Sequence, residues 1–133
     1  MAKLPSAAAL LIAALRANPT VTGLPSGLRI ATRLGTTGDA ALRITPLGGA
    51  DSVDDTGNPE LQIECWGPGT DSAAEAQASD MARTIHDQIP SLTGRYGPGL
   101  IVGAYTLGLP LFSPDPTTQR AREIVQVGLV VQP

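Results

Sequence analysis

The stretch Glu60-Leu-Gln-Ile-Glu-Cys-Trp66 alternates apolar and polar residues without a break. Side chains on an extended chain point to opposite faces in turn, so such a run reads as a strand with one face in a core. Leu61, Ile63 and Cys65 share one face; Gln62, Glu64 and Trp66 share the other. Gly67-Pro68-Gly69 then breaks the strand. This unit sets the centre of the fold as a sheet whose apolar face needs helices to cover it.

The first such helix follows directly. Ser72 and Glu75 have the spacing of a capping box, hydroxyl to the N3 amide and carboxylate reaching back. Ala74, Ala78, Met81, Ala82, Ile85 and Ile89 recur on one side and predict a helix over 72–89, ended by Pro90. Nearer the amino end, Leu4, Ala8, Leu11, Ile12 and Leu15 recur at helical spacing. Pro5 suits a first turn and Asn18-Pro19 a stop, so a helix is expected over 5–17.

Four further strands are expected. Leu28 to Leu34 alternates, with Arg29 and Arg33 away from the core; Ala41 to Leu47 places Leu42 and Ile44 inward, Arg43 and Thr45 outward. Leu100 to Phe112 is apolar but interrupted by Gly103, Gly108 and Pro110, which predicts a bent or bulged strand. Arg122 to Gln132 carries Val125, Val127, Leu129 and Val131 on one face. Residues 48–59 and 113–121 read as loops. The order helix, strands, helix, strands contains no βαβ series. It predicts an α+β domain over 1–133, an antiparallel or mixed sheet with two helices packed on one face.

Composition narrows the function. A chain of 133 residues, 42% hydrophobic and 16% charged, fits one globular domain. Its net charge of −3 lacks the basic footprint that grips a phosphate backbone, and 3% aromatics give no stacking platform for single strands. One cysteine cannot close an internal disulfide, and one histidine does not build a usual zinc site. Ala7 to Leu15 is a short apolar stretch like that of a signal peptide, but Arg16 stands where a small-residue cleavage site should begin. No run approaches the ~20 apolar residues of a membrane span, so the expectation is synthesis and assembly in a cytoplasm.

Cys65 and His86 are the sole thiol–imidazole pair. Cys65 shares a face with Leu61 and Ile63, ordinary core for a small thiol, and His86 follows Ile85 near a helix end, where positive charge is favourable. No oxyanion loop accompanies them, so no catalytic residue, cofactor or metal ligand is assigned. Asp51, Asp54, Asp55 and Asn58 bunch in one segment without the spacing of a calcium loop. Interfaces are the better use of such residues. Arg29, Arg33 and Arg43 form a basic stripe that would complement the acidic segment around Asp51, Asp54 and Asp55 on a neighbouring copy. Arg95 and Tyr96, within Gly94-Arg-Tyr-Gly-Pro-Gly99, are contact candidates, although a plain turn is the simpler reading. Trp66, opposite Cys65, is either a contact anchor or a ring packed under a loop of its own chain.

The order of segments resembles the tail-terminator proteins of long-tailed phages, especially those of actinobacteria. The residues that carry the resemblance are the opening Leu4-Pro-Ser-Ala-Ala-Ala-Leu-Leu-Ile-Ala-Ala-Leu-Arg16 and the strand Leu61-Gln-Ile-Glu-Cys-Trp-Gly67. An alanine-rich helix with Ala82-Arg-Thr-Ile85, a Pro114-Asp115-Pro116 loop and a closing Val130-Val-Gln-Pro133 complete it. One departure stands at the last strand, where Arg122 leads into Glu123-Ile124 and not soon into an aromatic. The resemblance implies a non-enzymatic virion protein of the neck. Its copies would form a ring, usually a hexamer, that caps the tail tube and meets the head-side connector or stopper protein, with DNA crossing the lumen. In such a ring the long segments 48–59 and 113–121, Asp115 included, are expected to mediate docking above and below. The alternatives are another neck component or, further off, a small-molecule-binding α+β module, for which the sequence offers no convergent polar groups.

Overall fold

A computed structural model describes residue 4 and residues 6–24, 28–35, 37–51 and 56–133, with Ala50 and Asp51 as backbone alone. Asp54 and Asp55 lie outside the described residues, as does Pro5. The elements run α1 (Ala7–Ala17), α2 (Pro19–Thr22), β1 (Arg29–Ala31), β2 (Ala41–Asp51), β3 (Gly57–Trp66) and α3 (Ser72–Gln88). After a 3-10 turn at Ile89–Ser91 come β4 (Gly94–Tyr96), β5 (Gly99–Thr106), β6 (Leu111–Phe112) and β7 (Arg122–Gln132).

The strands form one sheet in the order β1-β2-β3-β7-β5-β4, with β6 also paired to β7. The fold is α+β and the sheet is mixed: β1 runs parallel to β2, and the other pairs are antiparallel. β3 and β7 sit at the centre, in register from Leu61 opposite Val127 to Trp66 opposite Arg122. On one face Leu42, Ile44, Leu61, Ile63, Cys65, Val125, Val127 and Leu129 merge with Leu11 and Leu15 of α1 and with Met81 and Ile85 of α3 into a single buried cluster. Each fully buried Leu or Ile there contributes about 1.5–3 kcal/mol of transfer free energy.

Local chemistry sets the helix ends. Ser6 caps α1 by accepting from the Ala9 amide, and Asn18 ends α1 while its side chain caps α2 through the Thr20 and Val21 amides. Asn18 Nδ2 also donates to Gln88 Oε1 at 3.1 Å, tying the start of α2 to the end of α3. The N-cap of α3 is Asp71, not Ser72: its carboxylate accepts from the Ala74 amide, so Ser72 is already helical and no Ser72–Glu75 box forms.

Three strand boundaries differ from expectation. The strand expected over 28–34 is the three-residue β1, because past Ala31 the chain has no partner on β2. The expected loop 48–59 is mostly a hairpin, with β2 continuing to Asp51 and β3 beginning at Gly57. Gly48 and Gly49 carry positive φ values of 107° and 123°, which lets the ladder absorb the register shift after Pro46. The expected strand 100–112 bulges between Ile101 and Gly103 and then breaks at 107–110 before β6 resumes the pairing with β7.

Candidate interaction surface

The face of the sheet turned away from the helices follows from register. Ala41, Trp66 and Arg122 form one row across β2, β3 and β7; Arg43, Glu64 and Ile124 form the next; Thr45, Gln62 and Gln126 the third. Leu111 of β6 adds to the Ile124 row, and Tyr105 of β5 lies opposite Gly128. One half of this face is polar and closed. The other half is apolar and open.

The polar half is built around Glu64, only 4% exposed. Its Oε1 accepts from Trp66 Nε1 at 3.0 Å and lies 3.7 Å from a guanidinium nitrogen of both Arg43 and Arg122. Its Oε2 accepts from Thr45 Oγ1 and Gln62 Nε2. Five partners thus compensate one buried carboxylate, the condition under which burying a charge is tolerable. Arg122 and Arg120 both lie over the Trp66 ring, 5.1 and 5.3 Å from its centroid. Arg122 Nε donates to Ser113 O, while Arg120 donates to Gly67 O and Asp39 O. Burial pulls the Arg120 guanidinium down from its usual pKa, and Asp39 opposes that shift. Arg43 Nε is buried with no hydrogen-bond partner among the described residues.

Trp66 therefore takes the second of its two readings. At 4% exposure it is packed under its own chain and is not a surface anchor. The 113–121 segment that covers this corner is also tied down. Ser113 N donates to Arg122 O, Asp115 N to Arg120 O, Gln119 N to Asp115 O and Ala121 N to Gly69 O. The Asp115 carboxylate accepts from the Thr118 hydroxyl at 2.6 Å, which holds Asp115 below the usual carboxylate range.

The open half lies at the β5–β6 edge. From Gly99 to Phe112 the sequence holds no charged residue. Among the described residues β4 covers β5 only as far as Ile101, so the edge beyond it has no neighbouring strand. Val102, Tyr105, Leu107, Leu109, Leu111 and Phe112 are all exposed there, Leu109 to 84%. Edge strands ordinarily carry charge, proline or a cover, since a bare apolar edge pairs with other chains. Here Pro110 stands outside the ladder and Leu107 to Pro110 projects between β5 and β6. His86 Nε2 lies 3.1 Å from Gly108 O and fastens this projection to α3.

The remaining sequence candidates fall apart spatially. Arg29 and Arg43 share the outer face through the β1–β2 register, but Arg33 lies past the end of β1, where its carbonyl accepts from Arg29 Nε. Arg43 answers Glu64 within its own chain. Asp51 ends β2, and Asp54 and Asp55 are outside the described residues. Arg95 is exposed on β4; Tyr96 is half-buried against the core, with Gly97 and Pro98 turning the β4–β5 hairpin. Sequence reasoning missed Glu64, Arg120 and the 107–112 edge. The signal for the edge is the absence of charge from Gly99 to Phe112.

Cys65 is fully buried, and desolvation first, then Glu123 and Glu64, pushes its thiol well above the ordinary range. His86 faces Gly108 and Asp87. Among the described residues no group of three or more His, Cys, Asp or Glu is placed to hold a metal, and no helix is long and apolar enough to cross a membrane. A groove of about 330 Å³ runs between α1 (Ser6, Ala9, Leu10, Ala13) and the β4–β5 turn (Tyr96, Pro98). Its lining offers no convergent set of polar groups of the kind that orients a small ligand.

No protein-family model matches this sequence, and no curated protein does. A solved structure does. A chain in the virion of a native gene transfer agent particle superposes with a TM-score of 0.67 at 17% identity, covering 96% of this chain and 95% of that one. At that identity the two share a fold.

Proposed function

We propose that this chain is a structural subunit of a phage-like virion, a tail terminator whose copies close into a hexameric ring. The ring sits on the end of the tail tube, joins it to the head-side connector or stopper protein, and leaves a lumen for DNA. The observation that carries the reading is the bare, uncharged β5–β6 edge. A stretch with six exposed apolar side chains is an aggregation hazard in a lone molecule and an interface in an assembled one. The fold shared with a chain of a gene transfer agent virion, over nearly the full length of both, supports the kind of assembly.

Growth of a tube stops when its end is occupied by subunits that offer the next tube protein no matching surface. In this reading the edge is spent on the neighbouring copy, so nothing remains to template another layer. Deleting the gene from a particle-producing genome tests it. The expected result is tubes of irregular length without heads; tubes of normal length with heads attached would end the proposal. Uniform tubes that lack heads would move the chain to another position in the neck.

A further inference from the structure

We infer that copies of this chain join head to tail through an ion pair, Arg33 at the β1 margin of one copy reaching Glu123 at the β6 margin of the next. The inference rests on the assembly reading above and names a contact that reading leaves open.

Two carboxylates lie close enough to Cys65 to push its thiol upward, Glu123 and Glu64, and the chain treats them differently. Glu64, on the outer face, has the five partners described above. Glu123 lies opposite Cys65 on the inner face, is 8% exposed, and makes no hydrogen bond or ion pair among the described residues. Taking a carboxylate out of water without a partner is costly. Its oxygens are still reachable. Among the described residues Arg43 Nε is the one fully enclosed side-chain polar atom that lacks a partner, so the Glu123 carboxylate meets the surface. It does so one strand from the margin of the sheet, since Phe112 of β6 pairs with Glu123 and no described strand pairs β6 on its far side.

The complement stands at the other margin. Ile30, Leu42, Cys65, Glu123 and Phe112 form one row across the sheet from β1 to β6. Arg33 is exposed in the bend just past β1, and its guanidinium makes no hydrogen bond or ion pair among the described residues. Successive strand spacings of about 4.8 Å hold β1 roughly 19 Å from β6, too far for Arg33 to answer Glu123 of its own chain. In a second copy set margin to margin it can. Opposite charges at opposite margins make a heterologous contact, which closes into a ring when the rotation per copy allows. Arg16 Nη2 already occupies Ile30 O at 2.7 Å, so β1 offers a neighbour its side chains and not a free ladder. Arg95 is also exposed without a partner among the described residues, but it lies on β4, on the same side of the sheet as β6. A copy presenting its β1 margin does not bring Arg95 to Glu123.

Native mass spectrometry of the wild type and four variants reads the contact. Arg33→Glu changes an exposed side chain without a partner in its own chain, so the fold is spared. It is expected to weaken association by at least about thirtyfold and to leave single copies. Glu123→Gln keeps the shape of the side chain and removes its charge. It is expected to weaken association likewise, and to melt no lower than Arg33→Glu, since no partner within the chain is lost. Arg33→Glu combined with Glu123→Lys restores the pair with its sign reversed and is expected to recover the wild-type mass. Where Glu123→Lys does not fold, the two single variants decide. Arg95→Glu is expected to keep the wild-type mass. Either single variant of the pair keeping that mass, a folded reversed pair that stays monomeric, or Arg95→Glu dispersing the assembly would overturn the pairing. Glu123→Gln melting well below Arg33→Glu would show that the carboxylate serves its own chain, and would overturn it too. Wild-type protein that is itself monomeric at every concentration would end the assembly reading, and the pairing with it.

Discussion

Trp66 donates its indole N–H to Oε1 of Glu64, two residues back on the same face of β3, at 3.0 Å. The pair links the centre of the sheet to the 113–121 turn, because Arg120 and Arg122 cover the ring and hold Gly67 O and Ser113 O. One corner of the outer face is thereby sealed within the chain, and the apolar edge beyond β7 is left as the open part.

Glu64→Gln keeps the acceptor toward Trp66 and removes the charge that answers Arg43 and Arg122. Breaking one side of a buried ion pair costs about 3–5 kcal/mol when the remaining charge stays buried. Arg43 is partly open to solvent, so the lower end of that range is expected. Urea unfolding followed by tryptophan fluorescence measures it; a loss below ~1 kcal/mol would show that the cluster adds little.

Gly67 and Gly128 give opposite expectations for the same change. A Cβ at Gly67 would meet the Ala74 carbonyl oxygen in the first turn of α3, backbone that cannot yield. Gly67→Ala should therefore destabilise by about 1–3 kcal/mol. At Gly128 the obstacle is the ring of Tyr105, which is exposed and free to swing aside, so Gly128→Ala should cost much less. Equal midpoints for the two variants in thermal melts would contradict this account of the packing.

Cys65 should resist alkylation. The thiolate is the reacting form, and burial pushes the thiol away from it. Iodoacetamide at neutral pH is expected to leave the folded protein unmodified and to label it fully in denaturant. Rapid labelling of the folded chain would mean that the core at β3 opens.

Asp115 titrates below an ordinary carboxylate because the Thr118 hydroxyl donates to it. A folded-state pKa below the unfolded one contributes stability that is present above the unfolded value. That stability fades as the pH falls through the folded one. Thr118→Val should move the Asp115 midpoint upward in an NMR titration, toward the ordinary range. An unchanged midpoint would assign the shift to something other than the hydroxyl.

Much of the fold is legible in the sequence because burial on one face imposes a period. The alternation at 60–66 and 122–132 and the apolar stripes of α1 and α3 each mark the side that meets the core. What escaped depends on partners distant in sequence. β1 is short because β2 offers it only Ala41 to Arg43, and Gly48 and Gly49 read as loop until the pairing with Glu60 and Pro59 shows a bulged hairpin. The site is less legible. Alternation placed Glu64 and Trp66 on the outer face, but their burial comes from Arg43 on β2, from Arg120 in the 113–121 turn and from Arg122 at the start of β7. Arg29 and Arg43 did share a face, whereas Arg33 left it where β1 ended.

The central claim is that the uncharged β5–β6 edge is covered by other copies of the chain. Hydrogen–deuterium exchange on the purified assembly and on the Leu109→Asp variant tests it most directly. The account predicts that peptides spanning 102–112 exchange more slowly in the wild-type protein than in the variant, with β3 and β7 unchanged. Equal, rapid exchange of that segment in both would contradict it.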